Sequence, residues 1–454
     1  MTLQRRGFLR GAAGVALALD YWRTSPADAA PVAPDPEDPN DPNAITDPDH
    51  EIGKPYVGWK EGELDLHFIS TGVTENCFHI FPDGTTALVD AGDRLPTSHK
   101  TGFDYAPDGS RRPGEWVARY ISRLRPELKT IDYVVASHFH SDHTGGPTVG
   151  VGMKGLEEPK DYQISGISHV GEYYRFGKAF DRGYPNYNRP TKWAPGEREN
   201  LLRFWEYAAE SYGMIREEFK VGALDQIKLL NAPEKYDFHI RNLCANGVVW
   251  SGGDGENVDY FELYPRNKEE NKNENTRSLA FVIQYGAFRF FTGGDVVGPL
   301  LDDEERKVNY EAIVGKASGP VDVCKTNHHS YKDGMSAGFC NEVRARVYVN
   351  CAWNGNHLQD TTASNMCDDS ATGYPGPRLM CPTHVYEVNP DLLANKPWRK
   401  RLVERGGHVV VKVIDGGARY KVYYLTDKDE SMKVELVFGP FESTGGPRAD
   451  ALNA

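Results

Sequence analysis

Residues 131–143 read IDYVVASHFHSDH, an apolar run followed at once by four side chains that can bind metal ions. The apolar part predicts a buried strand that ends just before the histidines. Because side chains alternate along an extended chain, His138 and His140 point the same way and can hold one cation. If the chain then turns, Asp142 and His143 reach a second cation nearby. This stretch therefore predicts a site for two divalent metal ions at the end of a strand.

The ligand types restrict the metal. Imidazole and carboxylate groups together suit zinc, manganese or iron rather than calcium. We expect zinc, with manganese or iron as alternatives. The competing interpretation is a polar loop that happens to be rich in histidine.

The composition limits the class of partner. The chain has 454 residues, a net charge of −13, and 39% hydrophobic and 11% aromatic residues. This length suits two or three average domains, or one large α/β enzyme domain with insertions. The acidic balance argues against duplex nucleic acid, because neutralising phosphates takes Lys and Arg. A small-molecule or polymeric ester remains possible as the substrate, and no pattern indicates the oligomeric state.

The N-terminus is typical of an export signal. Residues 4–10 read QRRGFLR, which resembles a twin-arginine signal, and a short apolar stretch over 11–19 follows. We predict a signal peptide over 1–30 and an extracytoplasmic location, periplasmic or secreted. The apolar stretch is too short to span a bilayer, so we expect no transmembrane segment in the mature chain. Residues 31–55, rich in Pro and Asp, predict a disordered acidic linker.

The seven cysteines are scattered and form no CxxC pair, so no cysteine zinc site is expected. After export, one or two disulfides could form, with Cys351, Cys367 and Cys381 as candidates. Their spacing does not decide the pairing.

The remaining periodicity predicts an α/β chain with two strand-rich halves. We place one large domain at 56–454. Residues 155–238 are interpreted as an inserted helical and aromatic cap over the metal loop, or else as ordinary helix packing over a sheet edge. Residues 354–395 are expected to be an irregular insertion. Strands are predicted at 64–70, 77–81, 86–89, 131–136, 240–245, 279–285, 288–292, 321–325, 346–351, 408–413, 420–425 and 431–438, with helices at 115–124, 197–219 and 304–314.

Three further strand ends carry metal-competent side chains. Asp90 ends a strand just before Gly92, Asp295 follows two glycines after another, and His328 with His329 end a third. A strand-end Asp, a His cluster, a second strand-end Asp and a strand-end His, in that order, resemble the metallo-β-lactamase superfamily. The resemblance covers roughly residues 62–440. It implies an αββα sandwich with the metals at one edge of the sheets.

Within that superfamily the chain looks most like the hydrolase domain of DNA-uptake competence channels and related exported phosphodiesterases. The similar segments are 82–92 (PDGTTALVDAG), 275–278 (NTRS) and 328–330 (HHS). The last departs from the family's His-His-Gly-Ser, with Ser330 in place of glycine and Tyr331 in place of serine. This departure affects the expected conformation of the loop that begins at His328 and not the expected metal binding.

The resemblance implies a role for each matching residue. His138 and His140 would bind the first metal, and Asp142, His143 and His329 the second. Asp295 would bridge the two, and Asp90 would accept a hydrogen bond from a ligand imidazole. His329 is favoured over His328 as the ligand, although the reverse remains open. The catalytic roles would then belong to Asp142, through the metal, and His328, which could contact a substrate oxygen or donate a proton.

The superfamily's third-motif histidine has no clear match. His169 and His239 are the candidates, and both are more typical of structural positions. Without that ligand the first metal would keep an open position. His357 and His384 are candidates for the border of the pocket.

The resemblance implies an exported hydrolase that uses a metal-activated water, with phosphoesters as the expected substrates. A lactone or β-lactam hydrolase of the same fold is the first alternative. The second is an exported binding protein that holds metal but does not catalyse a reaction.

Overall fold

The computed structural model describes residues 49–95, 104–146, 161–189, 196–253, 256–264, 273–301, 307–368, 378–385 and 396–444. The predicted signal peptide over 1–30 lies outside these ranges, as does most of the predicted linker. The last residues of that linker are ordered, because Gly53 N donates to Val434 O (2.9 Å) and Val434 N donates to Lys54 O (2.8 Å). In the described ranges no helix has the length and apolar character needed to cross a membrane.

Nineteen strands are present in these ranges. In chain order they are β1 Leu64–Phe68, β2 Asn76–Ile80, β3 Thr86–Ala91, β4 Thr130–Ala136, β5 Arg175–Asp181, β6 Ile215–Arg216, β7 Phe238–Ala245, β8 Val248–Val249, β9 Val258–Asp259, β10 Ala280–Tyr285, β11 Phe288–Thr292, β12 Leu300–Leu301, β13 Lys307–Val308, β14 Val323–Lys325, β15 Val347–Asn350, β16 Leu379–Pro382, β17 His408–Ile414, β18 Arg419–Leu425 and β19 Val434–Glu442.

Two large mixed sheets contain nearly all of these strands. The first has the order β19-β18-β17-β1-β2-β3-β4-β5-β6, and the second has the order β16-β15-β14-β11-β10-β7-β8-β9. In the first sheet β3, β4 and β5 are parallel neighbours. In the second, β11, β14, β15 and β16 are parallel neighbours. The parallel strands of each sheet place their carboxyl ends at a common edge.

The helices cover the outer faces of the two sheets. They are α1 Pro113–Leu124, α2 Ser141–Thr144, α3 Ile167–Val170, α4 Glu197–Tyr212, α5 Tyr260–Leu263, α6 Tyr310–Ser318, α7 Ala337–Val343 and α8 Asp360–Cys367, with 3-10 turns at Asn275–Arg277, Asn327–Ser330, Pro397–Arg401 and Asp415–Gly417. Pro113 begins α1, as expected for a residue whose missing N–H costs nothing in the first turn.

Three apolar cores hold these layers together. The inner core lies between the sheets and joins side chains such as Leu66 and Phe68 of β1 to Ile283 and Phe290 of the second sheet. A second core packs α1 and α4 against the first sheet, and a third packs α6, α7 and α8 against the second. This helix, sheet, sheet, helix arrangement confirms the predicted αββα sandwich.

The structure corrects the cap interpretation of 155–238 for the residues it describes. Strand β5 pairs in parallel with β4, so this part of the segment extends the first sheet. Phe204 and Trp205 of α4 are fully buried in the outer core of that sheet. The alternative, a helix packed over a sheet edge, describes these elements better. An aromatic-rich sequence suits such an outer core as well as it suits a cap.

Other boundaries shift for local reasons. Helix α4 ends at Tyr212 and not at 219, because Gly213 adopts a left-handed conformation (φ 77°) that stops the helix. The segment 354–395 is less irregular than predicted, since it contains α8 and β16. Strand β16 joins the parallel part of the second sheet. The helix predicted at 304–314 begins later, as α6 at Tyr310, because Lys307–Val308 pair as β13; residues 302–306 lie outside the described ranges.

Candidate metal centre

The candidate ligands meet at the common edge of the two sheets. Strands β3 and β4 deliver Asp90 and the 138–143 cluster, while β11 and β14 deliver Asp295 and the 327–330 turn. Two close approaches require glycine. A side chain at Gly92 would collide with the backbone of Asp142, and one at Gly294 (φ 51°) would collide with Ser137 Oγ at 2.5 Å.

One group of ligands contains His138, His140 and Asp295. His138 Nε2 lies 3.1 Å from His140 Nδ1 and 3.6 Å from Asp295 Oδ2. Burial, reinforced by the neighbouring His143 imidazole, lowers the pKa of His138 well below its usual value, which keeps the ring neutral. These three atoms form one side of a metal site and leave the remaining positions open.

A second group contains Glu75, His143, Asp295 and His329, and Asp142 adjoins it through His329 and His143. His143 Nε2 lies 3.2 Å from His329 Nε2 and 3.2 Å from Asp295 Oδ1, and His329 Nε2 lies 3.2 Å from Asp142 Oδ2. The other edges measured are 3.6 Å from His329 to Asp295 and 3.7 Å from His143 to Asp142. Zinc bonds of 2.0–2.1 Å in a tetrahedron require ligand separations of about 3.4 Å. The measured separations are therefore close to those expected between ligands of one zinc ion.

Asp295 belongs to both groups, with Oδ2 toward His138 and Oδ1 toward His143. Among the described residues, Oδ1 accepts no hydrogen bond although it is buried. Burial alone would raise the pKa of Asp295, but the nearby His143 and His329 imidazoles hold that pKa well below its usual range. An ionised buried oxygen surrounded by ring nitrogens fits a bound cation.

Asp90 orients one of the ligand imidazoles. His143 Nδ1 lies 2.9 Å from Asp90 Oδ2, and the same carboxylate accepts from Ser137 N (2.7 Å) and Ser137 Oγ (2.6 Å). A hydrogen bond at Nδ1 leaves Nε2 of His143 free to face a metal. Cys351 O does the same for His329, at 2.9 Å from Nδ1.

A buried ion pair lies behind these imidazoles and has no counterpart in the sequence analysis. Lys325 Nζ donates to both oxygens of Glu75 (2.7 and 2.8 Å) and to Gly294 O (2.9 Å). Glu75 also lies 3.9 Å from His143 Nδ1 and 3.5 Å from His329 Nδ1. Because its two oxygens are engaged by Lys325 and face the Nδ1 atoms, Glu75 braces the ligands and does not join them. No spacing pattern marks an isolated Glu and a Lys so far apart in the chain.

The two neighbouring histidines of the 327–330 turn have different environments. His329 is buried among the ligands, whereas the side chain of His328 is 19% exposed and lies 3.9 Å from Asp295 Oδ2. His328 Nδ1 donates to Asp333 Oδ1 (2.6 Å), and His328 Nε2 lies 3.1 Å from Asn275 Nδ2. The geometry thus favours His329 as the ligand and leaves His328 beside the cavity.

The turn itself is strained. His328, His329 and Ser330 all have positive φ, at 45°, 50° and 59°. Ser330 therefore has a backbone conformation that glycine adopts more readily than serine. Glu311 of α6 stabilises the turn from behind, because its carboxylate accepts from Asn327 Nδ2 (2.9 Å), Met335 N (2.6 Å) and Ser336 N (2.8 Å).

A cavity of about 450 Å³ opens onto the metal ligands. We call its buried base the floor, where Asp142, Asp295 and His329 line the cavity and His143 lies next to His329; the Glu75–Lys325 pair lies behind this floor. Its solvent side is the mouth, formed by Arg94, His328, Tyr331 and Trp353. The Arg94 guanidinium lies over the Trp353 ring, 4.7 Å from its centroid, and 3.5 Å from Asp142 Oδ1. His357 also lines the cavity and stacks on His329, with ring centroids 4.7 Å apart.

The remaining candidates lie elsewhere. His169 packs against Gly114 below α1, and His239 lies in a separate small cavity on the second sheet. Neither joins the described ligand groups, so no third-motif histidine is found among them. His384 does not line the described cavity.

The disulfide expectation is not met, since all seven cysteines are free and buried. The reason is the position of the sheet: Cys351 and Cys381 belong to the core between the sheets, whereas Cys367 lies in the outer core on the opposite face.

Comparison with known proteins agrees with this geometry. Residues 70–146 match the family model described as the metallo-beta-lactamase superfamily. No curated protein matches the chain. Among solved structures, a protein described as a metal-dependent hydrolase from Parabacteroides distasonis is similar, with 12% identity, a TM-score of 0.31 and coverage of 70% of this chain and 92% of that chain. Human tRNase Z, short form, has 12% identity, a TM-score of 0.27 and coverage of 63% and 91%.

At these TM-scores the two solved structures do not support a conclusion about the family of this chain. The matched segment contains Asp90 and the whole 138–143 cluster, and the two sheets carry Asp295 and His329 to the same edge. The chain therefore carries a metallo-β-lactamase superfamily domain.

Proposed function

We propose that this protein is an exported metal-dependent hydrolase that cleaves phosphoester bonds with a metal-activated water. The observation that carries the proposal is the orphaned Oδ1 of Asp295, buried beside the ring nitrogens of His143 and His329 at the base of a polar cavity, while Oδ2 faces His138. The export part depends on the twin-arginine pattern at Arg5 and Arg6 alone.

The two ligand groups support a proposal of two metal sites. His138 and His140 would hold one cation, and Asp142, His143 and His329 a second, with one oxygen of Asp295 directed to each. Bound divalent cations supply a water acidic enough to ionise near pH 7 and polarise a phosphoryl oxygen. Asp90 and Cys351 O hold the Nδ1 atoms of His143 and His329, which leaves Nε2 of each ring as the atom that would bind metal.

His328 is the residue placed to act on the substrate. It lines the cavity next to the ligands, and Asp333 fixes the ring through Nδ1. Its Nε2 therefore points to the side where a substrate oxygen would lie, with Asn275 beside it. The neutral ring carries its hydrogen at Nδ1, so His328 would donate a proton to the leaving oxygen from Nε2 only as the imidazolium.

A serine nucleophile is a poor alternative. Residues 334–338 read GMSAG and have the spacing of a nucleophile elbow. However, Ser336 caps α7, where Oγ accepts from Phe339 N (3.3 Å) and Asn309 Nδ2 (3.0 Å). Among the described residues no histidine contacts its hydroxyl, so this serine has a capping role.

The test is a substrate panel with the metal content measured in parallel. Protein purified with zinc or manganese would be assayed on bis-p-nitrophenyl phosphate, p-nitrophenyl phosphate, a chromogenic β-lactam and an acyl lactone. Faster turnover of a phosphoester than of the lactone or β-lactam supports the proposal. The reverse preference would move the function to the lactonase class, and bound metal without turnover of any ester would favour a binding protein. Export would be tested by secretion of a reporter fused to residues 1–55 and its loss when Arg5 and Arg6 become Lys.

A further inference from the structure

Arg94 is the cationic side chain of the mouth of the cavity. Its guanidinium packs on the Trp353 ring at 4.7 Å and lies 3.5 Å from Asp142 Oδ1, yet its side chain is 36% exposed. The cation–π contact fixes the guanidinium without using its N–H donors. One terminal nitrogen faces Asp142, and the side chain lines the cavity next to the metal ligands.

The charge around this position favours an anion. Two divalent cations would outweigh the carboxylates of Asp142 and Asp295, and Glu75 is neutralised by Lys325. Arg94 then adds a further positive charge at the mouth. The cavity would therefore be positive although the chain as a whole carries −13.

The lining also excludes one kind of substrate. None of the described residues that line the cavity carries an aliphatic side chain, and Asn275, Asn354 and Asn356 add amide groups to it. An acyl chain would leave these polar groups desolvated and without partners, which costs free energy. Polar groups on the substrate could satisfy them.

We infer that Arg94, held by Trp353, is an anion-binding and specificity-determining residue, and that the substrate is a negatively charged phosphoester with polar groups beside the reacting bond. The inference rests on the proposed function. The guanidinium would bind the non-bridging oxygens of the phosphoryl group through its planar pair of N–H donors. A neutral carboxylic ester offers no such partner.

The experiment compares wild type with Arg94→Gln and Arg94→Lys. The matched control is Arg419→Gln, which removes an exposed arginine of β18 that does not line the cavity. All four are loaded with the same metal and assayed on bis-p-nitrophenyl phosphate and on neutral p-nitrophenyl acetate. We expect Arg94→Gln to lower kcat/KM for the phosphodiester by about 10- to 100-fold, mainly through KM, and to leave the acetate rate unchanged. Arg94→Lys should be intermediate, and Arg419→Gln should match wild type.

A second readout separates this inference from the proposed function. The dissociation or inhibition constant of inorganic phosphate should be lower for wild type than for Arg94→Gln by a similar factor, with equal metal content in the two proteins. Equal phosphate affinity in the two proteins, or an equal loss on both esters, would overturn the role of Arg94 while leaving phosphoester hydrolysis intact. If wild type hydrolyses no phosphoester, the proposed function fails, and the phosphate titration alone decides whether Arg94 binds anions.

Discussion

The floor and the mouth of the cavity adjoin each other but differ in their physical character. On the floor, His329 is buried and its Nδ1 is held by Cys351 O, and behind the floor Lys325 neutralises Glu75. At the mouth, His328 is partly exposed and its partner Asp333 is on the surface side. Two histidines adjacent in sequence therefore have different environments. Under the proposed function, the floor would provide the metal ligands and the mouth the groups that meet a substrate.

The largest effect should follow from removing a ligand of the floor. In Asp295→Ala both ligand groups lose an oxygen, so we expect bound metal to fall and hydrolysis to drop by more than about a thousandfold. Asp142→Ala should lose mainly the second metal. Metal analysis and initial rates would be measured on the same samples. Full hydrolysis by both purified variants would refute the assignment.

The paired histidines test the comparison directly. His328→Asn should keep the metal and lower kcat by about 10²- to 10⁴-fold, since only a group facing the substrate is lost. His329→Asn should instead lose metal affinity. Metal titration with a competing chelator, together with kcat, separates the two outcomes. Metal loss in His328→Asn with metal retention in His329→Asn would reverse the ligand assignment.

The ion pair behind the floor should contribute to stability when intact and destabilise when broken. Lys325→Met leaves Glu75 as an uncompensated buried charge, which should cost about 3–5 kcal/mol of unfolding free energy. The double variant Glu75→Leu with Lys325→Met should recover much of this loss, because two apolar groups replace the pair. Urea unfolding of metal-loaded protein measures both. If the double variant is as unstable as Lys325→Met, the loss of charge compensation is not the reason for the instability of the single variant.

Glu311 gives a pH dependence behind the turn that carries both histidines. Burial raises the pKa of Glu311 to about 7 against an unfolded value of 4.5, and its hydrogen bonds only partly oppose this. A raised pKa means that the group contributes most stability below about pH 4.5 and loses that contribution as the pH rises to about 7. Relative to Glu311→Gln, wild type should lose up to about 3 kcal/mol over this range.

Unfolding free energies of the two proteins at pH 5 and pH 7.5 measure the difference. The titration of the metal ligands is common to both proteins and cancels in it. A constant difference between the two proteins at these pH values would show that Glu311 does not titrate in this range.

The smallest effect concerns the strained turn. Ser330 has φ 59°, and its hydroxyl is buried without a hydrogen-bond partner among the described residues. Ser330→Gly relieves both, so we expect a gain of about 1 kcal/mol in unfolding free energy with unchanged metal content. Thermal unfolding would detect it. A loss of stability would mean that contacts of the serine side chain stabilise the turn by more than the backbone strain destabilises it.

Much of the fold was readable from local patterns. Apolar patterns predicted most of the strands that are found, and the helix predicted at 115–124 is found as α1. The interpretation failed where a pattern fits two environments. The aromatic residues of α4 suit a cap or an outer core equally well, and only the pairing of β5 with β4 decides between them.

The sequence by itself determined the ligand cluster at 138–143, because four chemically competent side chains follow one strand and need only its local geometry to converge. It also indicated Asp90, Asp295 and the 328–329 pair as strand-end groups. Only the tertiary structure separated His328 from His329, joined Glu75 to Lys325, and set Arg94 on Trp353. These contacts join residues from different strands and loops, and their partners are fixed by the packing of the two sheets, which no local spacing in the chain records.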